Sequence, residues 1–158
     1  MSDYELGKWQ WNDSDFPTMG WHDSVIWSTA PDPENFEFLV DLDYIFKWVQ
    51  PREGETYFKF WVAPVTMVFA NAHSVKVALD SSQGSIEVAD LYRENPKLTA
   101  NGKLTEHTYR FDCQEGEISL VSTGFSLFVR RAPSLLQTQC FTFQSRGGIS
   151  FARERSVA

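Results

Sequence analysis

Five side chains close to the two strongest strand signals are of types that do chemistry together: His22, Asp23, Ser24, Asp41 and Asp43. An imidazole beside two carboxylates is a donor set for a divalent cation. It is also a general-base pair, in which a neighbouring carboxylate raises the histidine pKa. Whether they meet depends on strand register. If residues 22–29 and 36–43 run antiparallel across Ala30-Pro31-Asp32-Pro33-Glu34-Asn35, Val25 faces Val40 and Trp27 faces Phe38. The apolar faces then agree, and a slip of one residue would turn every side chain over. In that register Ser24 lies beside Asp41 and His22 beside Asp43 on the opposite face. The plainer reading of the same set is a solvated sheet face with a modest His–Asp cross-strand attraction. His22, Asp23, Asp41 and Asp43 are accordingly a candidate binding site, with no catalytic residue and no metal assigned.

Other reactive residues fit catalysis less well. Ser122-Thr123-Gly124-Phe125-Ser126 lacks the flanking glycines of a nucleophile elbow. Cys113 and Cys140 fall in apolar surroundings without a C-x-x-C spacing, where cysteine serves as a small hydrophobe. No glycine-rich loop leads from a strand into a helix, so no phosphate cradle is expected and no cofactor is predicted. The six tryptophans all lie within the first 61 residues. Any that stay partly exposed would form a stacking platform for a sugar or an anchor for a protein.

The elements that must position these residues read as strands. Between residues 36 and 48 every second side chain is apolar: Phe36, Phe38, Val40, Leu42, Tyr44, Phe46 and Trp48. Glu37, Asp41, Asp43 and Lys47 fill most of the gaps. A period of two predicts a long strand with one face on the core and the other wet. Trp9 and Trp11 are spaced for one face of a short strand. Tyr57–Phe69 is a second long run, in which Ala63-Pro64 predicts a bend from one sheet to another. Shorter alternating segments follow around Val75–Leu79, Ile86–Val88, Tyr109–Cys113, Ile118–Val121 and Phe125–Val129. Asp90–Glu94 reads as a helical turn, Asn101-Gly102 as a hairpin signal, and Gly147-Gly148 as the turn between strands 138–145 and 149–154. These segments predict an all-β fold: an antiparallel sandwich or flattened barrel of nine or ten strands, one domain over residues 1–158.

Composition narrows the function. Of 158 residues 42% are hydrophobic and 15% aromatic, enough for an ordinary core without disulfides or metal. The formal charge of −7 is carried by the front half, where twelve acids face five bases up to residue 79. An acidic front opposes phosphate and predicts no nucleic-acid binding, whereas it suits a basic protein partner. Arg130, Arg131, Arg146, Arg153 and Arg155 give the end of the chain a basic stripe. It reads as edge-protecting charge, as an anion anchor, or as the counterpart for head-to-tail self-association. The first residues, Met1-Ser2-Asp3-Tyr4-Glu5, lack a signal-peptide pattern, and no run approaches the ~18 apolar residues of a membrane span. The chain is therefore expected to be cytoplasmic, off the membrane, with reduced thiols.

Three blocks carry a resemblance: Met19-Gly20-Trp21-His22-Asp23-Ser24, Asp41-Leu42-Asp43-Tyr44-Ile45-Phe46-Lys47-Trp48, and Phe60-Trp61-Val62-Ala63-Pro64-Val65-Thr66-Met67-Val68-Phe69. Together, over about residues 16 to 90, they resemble an uncharacterised family of small bacterial β proteins. The Trp-His-Asp-Ser segment followed by alternating strands is also similar to immunity-type proteins that accompany polymorphic toxins. The resemblance implies a binding or inhibitory protein, not an enzyme, and gives no residue a role. The function expected is thus a non-catalytic binding protein, of immunity type, presenting an acidic face around Asp23, Asp41 and Asp43. A small-molecule or carbohydrate-binding sandwich is the alternative, and a metal-dependent enzyme using His22, Asp41 and Asp43 is the second.

Overall fold

Alternating and β-branched segments become strands almost wherever they were read. The computed structural model describes residues 4–156, so the readings of Met1–Asp3, Val157 and Ala158 lie outside the described residues. Ten strands form: β1 (Gln10–Asn12), β2 (Val25–Asp32), β3 (Glu37–Val49), β4 (Lys59–Ala70), β5 (His73–Leu79), β6 (Ile86–Leu98), β7 (Thr105–Cys113), β8 (Gly116–Ser122), β9 (Gly124–Val129) and β10 (Ser134–Leu136). Strand makes up 53% and helix 4%, which places the protein in the all-β class.

The strands build one antiparallel sheet in the order β1-β9-β4-β3-β2-β6-β7-β8-β5, with β10 added to β4, and the sheet does not close into a barrel. Its two halves are joined narrowly. β2 and β6 share only the pairs Val25↔Glu87 and Ile26↔Ile86. Across this joint the halves face each other over a common core. Phe69 of β4 lies 5.2 Å from Tyr109 and 6.0 Å from Phe111 of β7, ring centre to ring centre. Phe125 of β9 closes the group at 6.2 Å from Tyr109. One folded-over sheet thus does the work of two layers.

Three local expectations are corrected. Residues 90–94 are strand, not a helical turn: Leu91 is buried in the core, and Arg93 pairs with Tyr109 across the ladder. The turn-like residues Asn95 and Pro96 sit in a bulge between Glu94 and Lys97, which absorbs them without ending β6. The one helix among the described residues is a 3₁₀ segment at Asp13–Thr18, capped by Asn12, whose side chain accepts the Ser14 N–H. Pro64 makes no break either, since β4 runs through it and its carbonyl accepts the Arg130 N–H at 3.0 Å.

The third correction concerns the chain end. Residues 138–154 form no hairpin, because Thr142 and Ser145 hydrogen-bond one another and the local backbone in place of a ladder. This segment lies as a strap across the second face of β3 and β4. There Phe141 completes a small second core with Ile45, Phe60 and Val62.

Candidate functional site

The register of β2 against β3 decides the fate of the five residues. Val25 pairs with Asp43 and Ile26 with Leu42. A bulge at Trp27 then makes Ser28 the partner of Asp41. The expected register, Val25 opposite Val40, is displaced by three positions, so the predicted neighbours separate. Ser24 is buried, and its carbonyl accepts the Val88 N–H. His22 is left at the surface with its side chain 65% exposed, its Nε2 3.5 Å from Asp23. Asp23 occupies a tight turn with φ of 66°. Asp41 and Asp43 are both 0% exposed, and their expected place on a wet face is wrong. Alternation identified the second face of β3 correctly but could not show that the strap would cover it.

What the strap brings is positive charge. Arg146 spans both carboxylates, with Nη2 2.6 Å and Nη1 2.8 Å from the two Asp41 oxygens and Nε 3.1 Å from Asp43 Oδ1. Arg130 Nη2 donates to Asp41 Oδ1 at 2.9 Å, and its Nη1 donates to Thr66 Oγ1 and the Ser150 carbonyl. Trp27 Nε1 and the Phe141 N–H donate to Asp43 Oδ2 at 2.9 and 3.0 Å, and the Ser150 N–H donates to Asp41 Oδ2. Two acids and two guanidinium groups balance in charge, and each carboxylate oxygen has a donor. Desolvation works against the Arg146 charge, but the hydrogen bonds and charges of Asp41 and Asp43 hold its pKa above the usual arginine value. Burial prevails at Arg130 and lowers its pKa, against Asp41. No lone pair here is free for a metal, and no group of three His, Cys, Asp or Glu side chains suited to one occurs among the described residues.

The cluster fastens; the open space lies beside it, at the far end of β3. β2 starts pairing only at Asp43, so Tyr44–Val49 have no ladder partner on that flank. The N-terminal segment lies against this gap. A bulge between Ile45 and Lys47 sets Trp48 opposite Phe60, their rings 4.9 Å apart. The result is a cleft of ≈ 500 Å³ whose ring-bearing walls are Tyr4, Trp11, His22, Tyr44, Phe46 and Trp48. Phe46 stands edge-on to Tyr44 at 4.7 Å and lies 6.1 Å from Trp11. His22 lies parallel to Trp48, 13° between planes at 6.0 Å. The Tyr44 hydroxyl accepts the Gly20 N–H at 3.1 Å, and burial raises the phenol pKa so that it stays neutral. Of the sequence candidates, His22 alone lines this cleft. The tryptophan-rich front half was the signal for it, but β-strand alternation does not show where a sheet edge is left unpaired.

The remaining reactive groups have structural surroundings. Burial pushes the Cys113 thiol up to about 12 and also raises that of Cys140, and both are free cysteines. His73 Nε2 lies 3.0 Å from Glu106 Oε2, which holds the Glu106 carboxyl below its ordinary pKa. Arg93 and the Tyr109 hydroxyl both bond to Asp13, tying the 3₁₀ helix to the far half of the sheet. No helix among the described residues is long and apolar enough to cross a membrane. No family model, curated protein or solved structure matches this chain.

Proposed function

We propose that this protein is a non-catalytic binding protein that takes a small, largely apolar ligand in the aromatic cleft at the end of β3. The observation that carries this reading is an open cleft of ≈ 500 Å³ lined by six rings. Ligand sites are typically concave, mostly apolar and about 300–1,000 Å³ in volume. A site of this kind works by desolvation and stacking, and needs no nucleophile or general base. The test is calorimetric titration of the full chain with a panel of small sugars, amines, acids and lipids, repeated on Trp48→Ala. Saturable heat in the wild type that weakens in the variant supports the reading. A flat response across the panel removes it.

A second reading, an immunity-type protein neutralising a basic toxin, is favoured by a different surface. Tyr57 is 80% exposed, Phe58 lies 5.9 Å from Trp48, and Glu53 and Glu55 stand in the preceding turn. Exposed aromatics beside acids suit the hot spot of a basic partner. The original seat of this reading loses Asp41 and Asp43 to the interior and keeps only Asp23. Co-expression with any toxin encoded beside this gene decides it: protection lost in Tyr57→Ala supports the reading, and full toxicity with the wild type overturns it.

A further inference from the structure

The kind of ligand can be narrowed, on the reading that the cleft is a binding site. Its walls carry aromatic rings, whose faces are electron-rich, and none of the residues lining it is lysine or arginine. A carboxylate or phosphate ligand would find no fixed countercharge among the lining residues. A sugar would need several free side-chain hydrogen-bonding groups, but among the walls the Tyr44 hydroxyl already holds Gly20, the Thr18 hydroxyl donates to the Asp15 carbonyl and Trp11 Nε1 to the Lys8 carbonyl, which leaves Tyr4, His22 and Trp48. Carboxylates stand beyond His22, whereas Lys8, over Trp11, is already paired with Asp15 at 2.5 Å. Asp23 lies 3.5 Å from His22 Nε2, and next to it Glu87 is held above its ordinary pKa by desolvation and by Asp23.

Rings of this protein take up cations. Lys8 Nζ sits 4.7 Å above Trp11, itself a wall of the cleft, and the Arg155 guanidinium sits 4.4 Å above Trp9. Six ring-bearing residues around one space, carboxylates next to His22 and no basic side chain among the walls together favour a cation that sheds its water easily. Alkylated ammonium groups do so, because methyls replace the N–H groups that would hold water.

We propose that the cleft is an aromatic cage for a ligand bearing a quaternary or tertiary alkylammonium group. Choline is a suitable probe, paired with its neutral isostere in which carbon replaces the quaternary nitrogen. The two share shape and apolar area and differ in charge. Titration calorimetry on the full chain should show choline binding about tenfold or more tighter than the isostere, the size of a desolvated cation–π contact. Trp48→Ala should lower choline affinity about tenfold with little change in the isostere. His22→Lys, at an exposed position that leaves the fold intact, sets a fixed positive charge at the rim and should erase the preference for choline. Equal affinity for choline and isostere, or tighter binding of methyl glucoside or acetate than of choline, overturns the cage while the cleft remains a binding site. No heat from any of these probes overturns the cage, and the wider panel then decides whether the cleft binds anything.

Discussion

Removing Arg146 should cost this fold more than any other single charge deletion, and the structure gives the size. Arg146→Met keeps most of the side-chain volume but deletes four contacts to Asp41 and Asp43 at 2.6–3.1 Å. Arg130 remains on Asp41. Asp43 is left with two neutral donors, Trp27 Nε1 and the Phe141 N–H, and no countercharge in hydrogen-bond contact. Neutral hydrogen bonds contribute about 1 kcal/mol each, against several kcal/mol to bury a lone carboxylate. The expected loss is about 3–5 kcal/mol, out of about 5–15 for a typical domain. Urea titration followed by ellipticity measures it. The double variant Asp43→Asn/Arg146→Met restores charge balance and should recover about 1–3 kcal/mol of that loss. A loss below about 1 kcal/mol, with no rescue in the double variant, would mean water reaches the cluster and the strap does not seal it.

Three further outcomes follow from the packing. Phe38→Ala, in the core, should cost about 3–5 kcal/mol in urea titration, whereas Glu37→Ala, which loses an exposed pair with Arg153, should cost about 1 kcal/mol or less. Cys113, with its thiol pushed up to about 12, should resist iodoacetamide near pH 8, where thiolate is on the order of one part in ten thousand, and react once urea unfolds the chain. A mass shift at Cys113 in the native protein would contradict its burial. At Gly116 a Cβ would lie 2.0 Å from the Ala78 carbonyl oxygen, at φ of 143°. Gly116→Ala should therefore cost about 2–4 kcal/mol, well above Gly102→Ala, whose added methyl meets open space.

The all-β class was legible because alternation is local, and from Phe38 to Tyr44 the expected core face is the observed one. The pattern failed at its ends for physical reasons. Phe36, with φ of 57°, turns out of the strand, and one extra residue at Phe46 shifts the alternation beyond it. The site was harder to read because its determinants are distant. The arginines that claim Asp41 lie 89 and 105 residues away, and no neighbouring residue announces them. A coarse signal was present in the acidic front half and the arginine-rich end. That asymmetry suggested an external basic partner, yet Arg130, Arg146 and Arg153 pair with Asp41, Asp43 and Glu37 of the same chain. Much of the complementarity is satisfied internally.

The strap also sets an order of events. Until residues 141–152 arrive, Asp41 and Asp43 need water, and the face of β3 that carries them stays hydrated. Drying that face is one cooperative step, in which Arg130, Arg146 and the Ser150 N–H reach Asp41 together while Arg146 and the Phe141 N–H reach Asp43. Contacts of such sequence separation form late, because closing a long loop costs entropy before any contact repays it. On the ribosome, β3 and β4 leave the exit tunnel long before their countercharges do. The half-made sheet then carries two carboxylates on its outer face, and charge on a sheet face opposes stacking of one sheet on another until residues 141–152 dock.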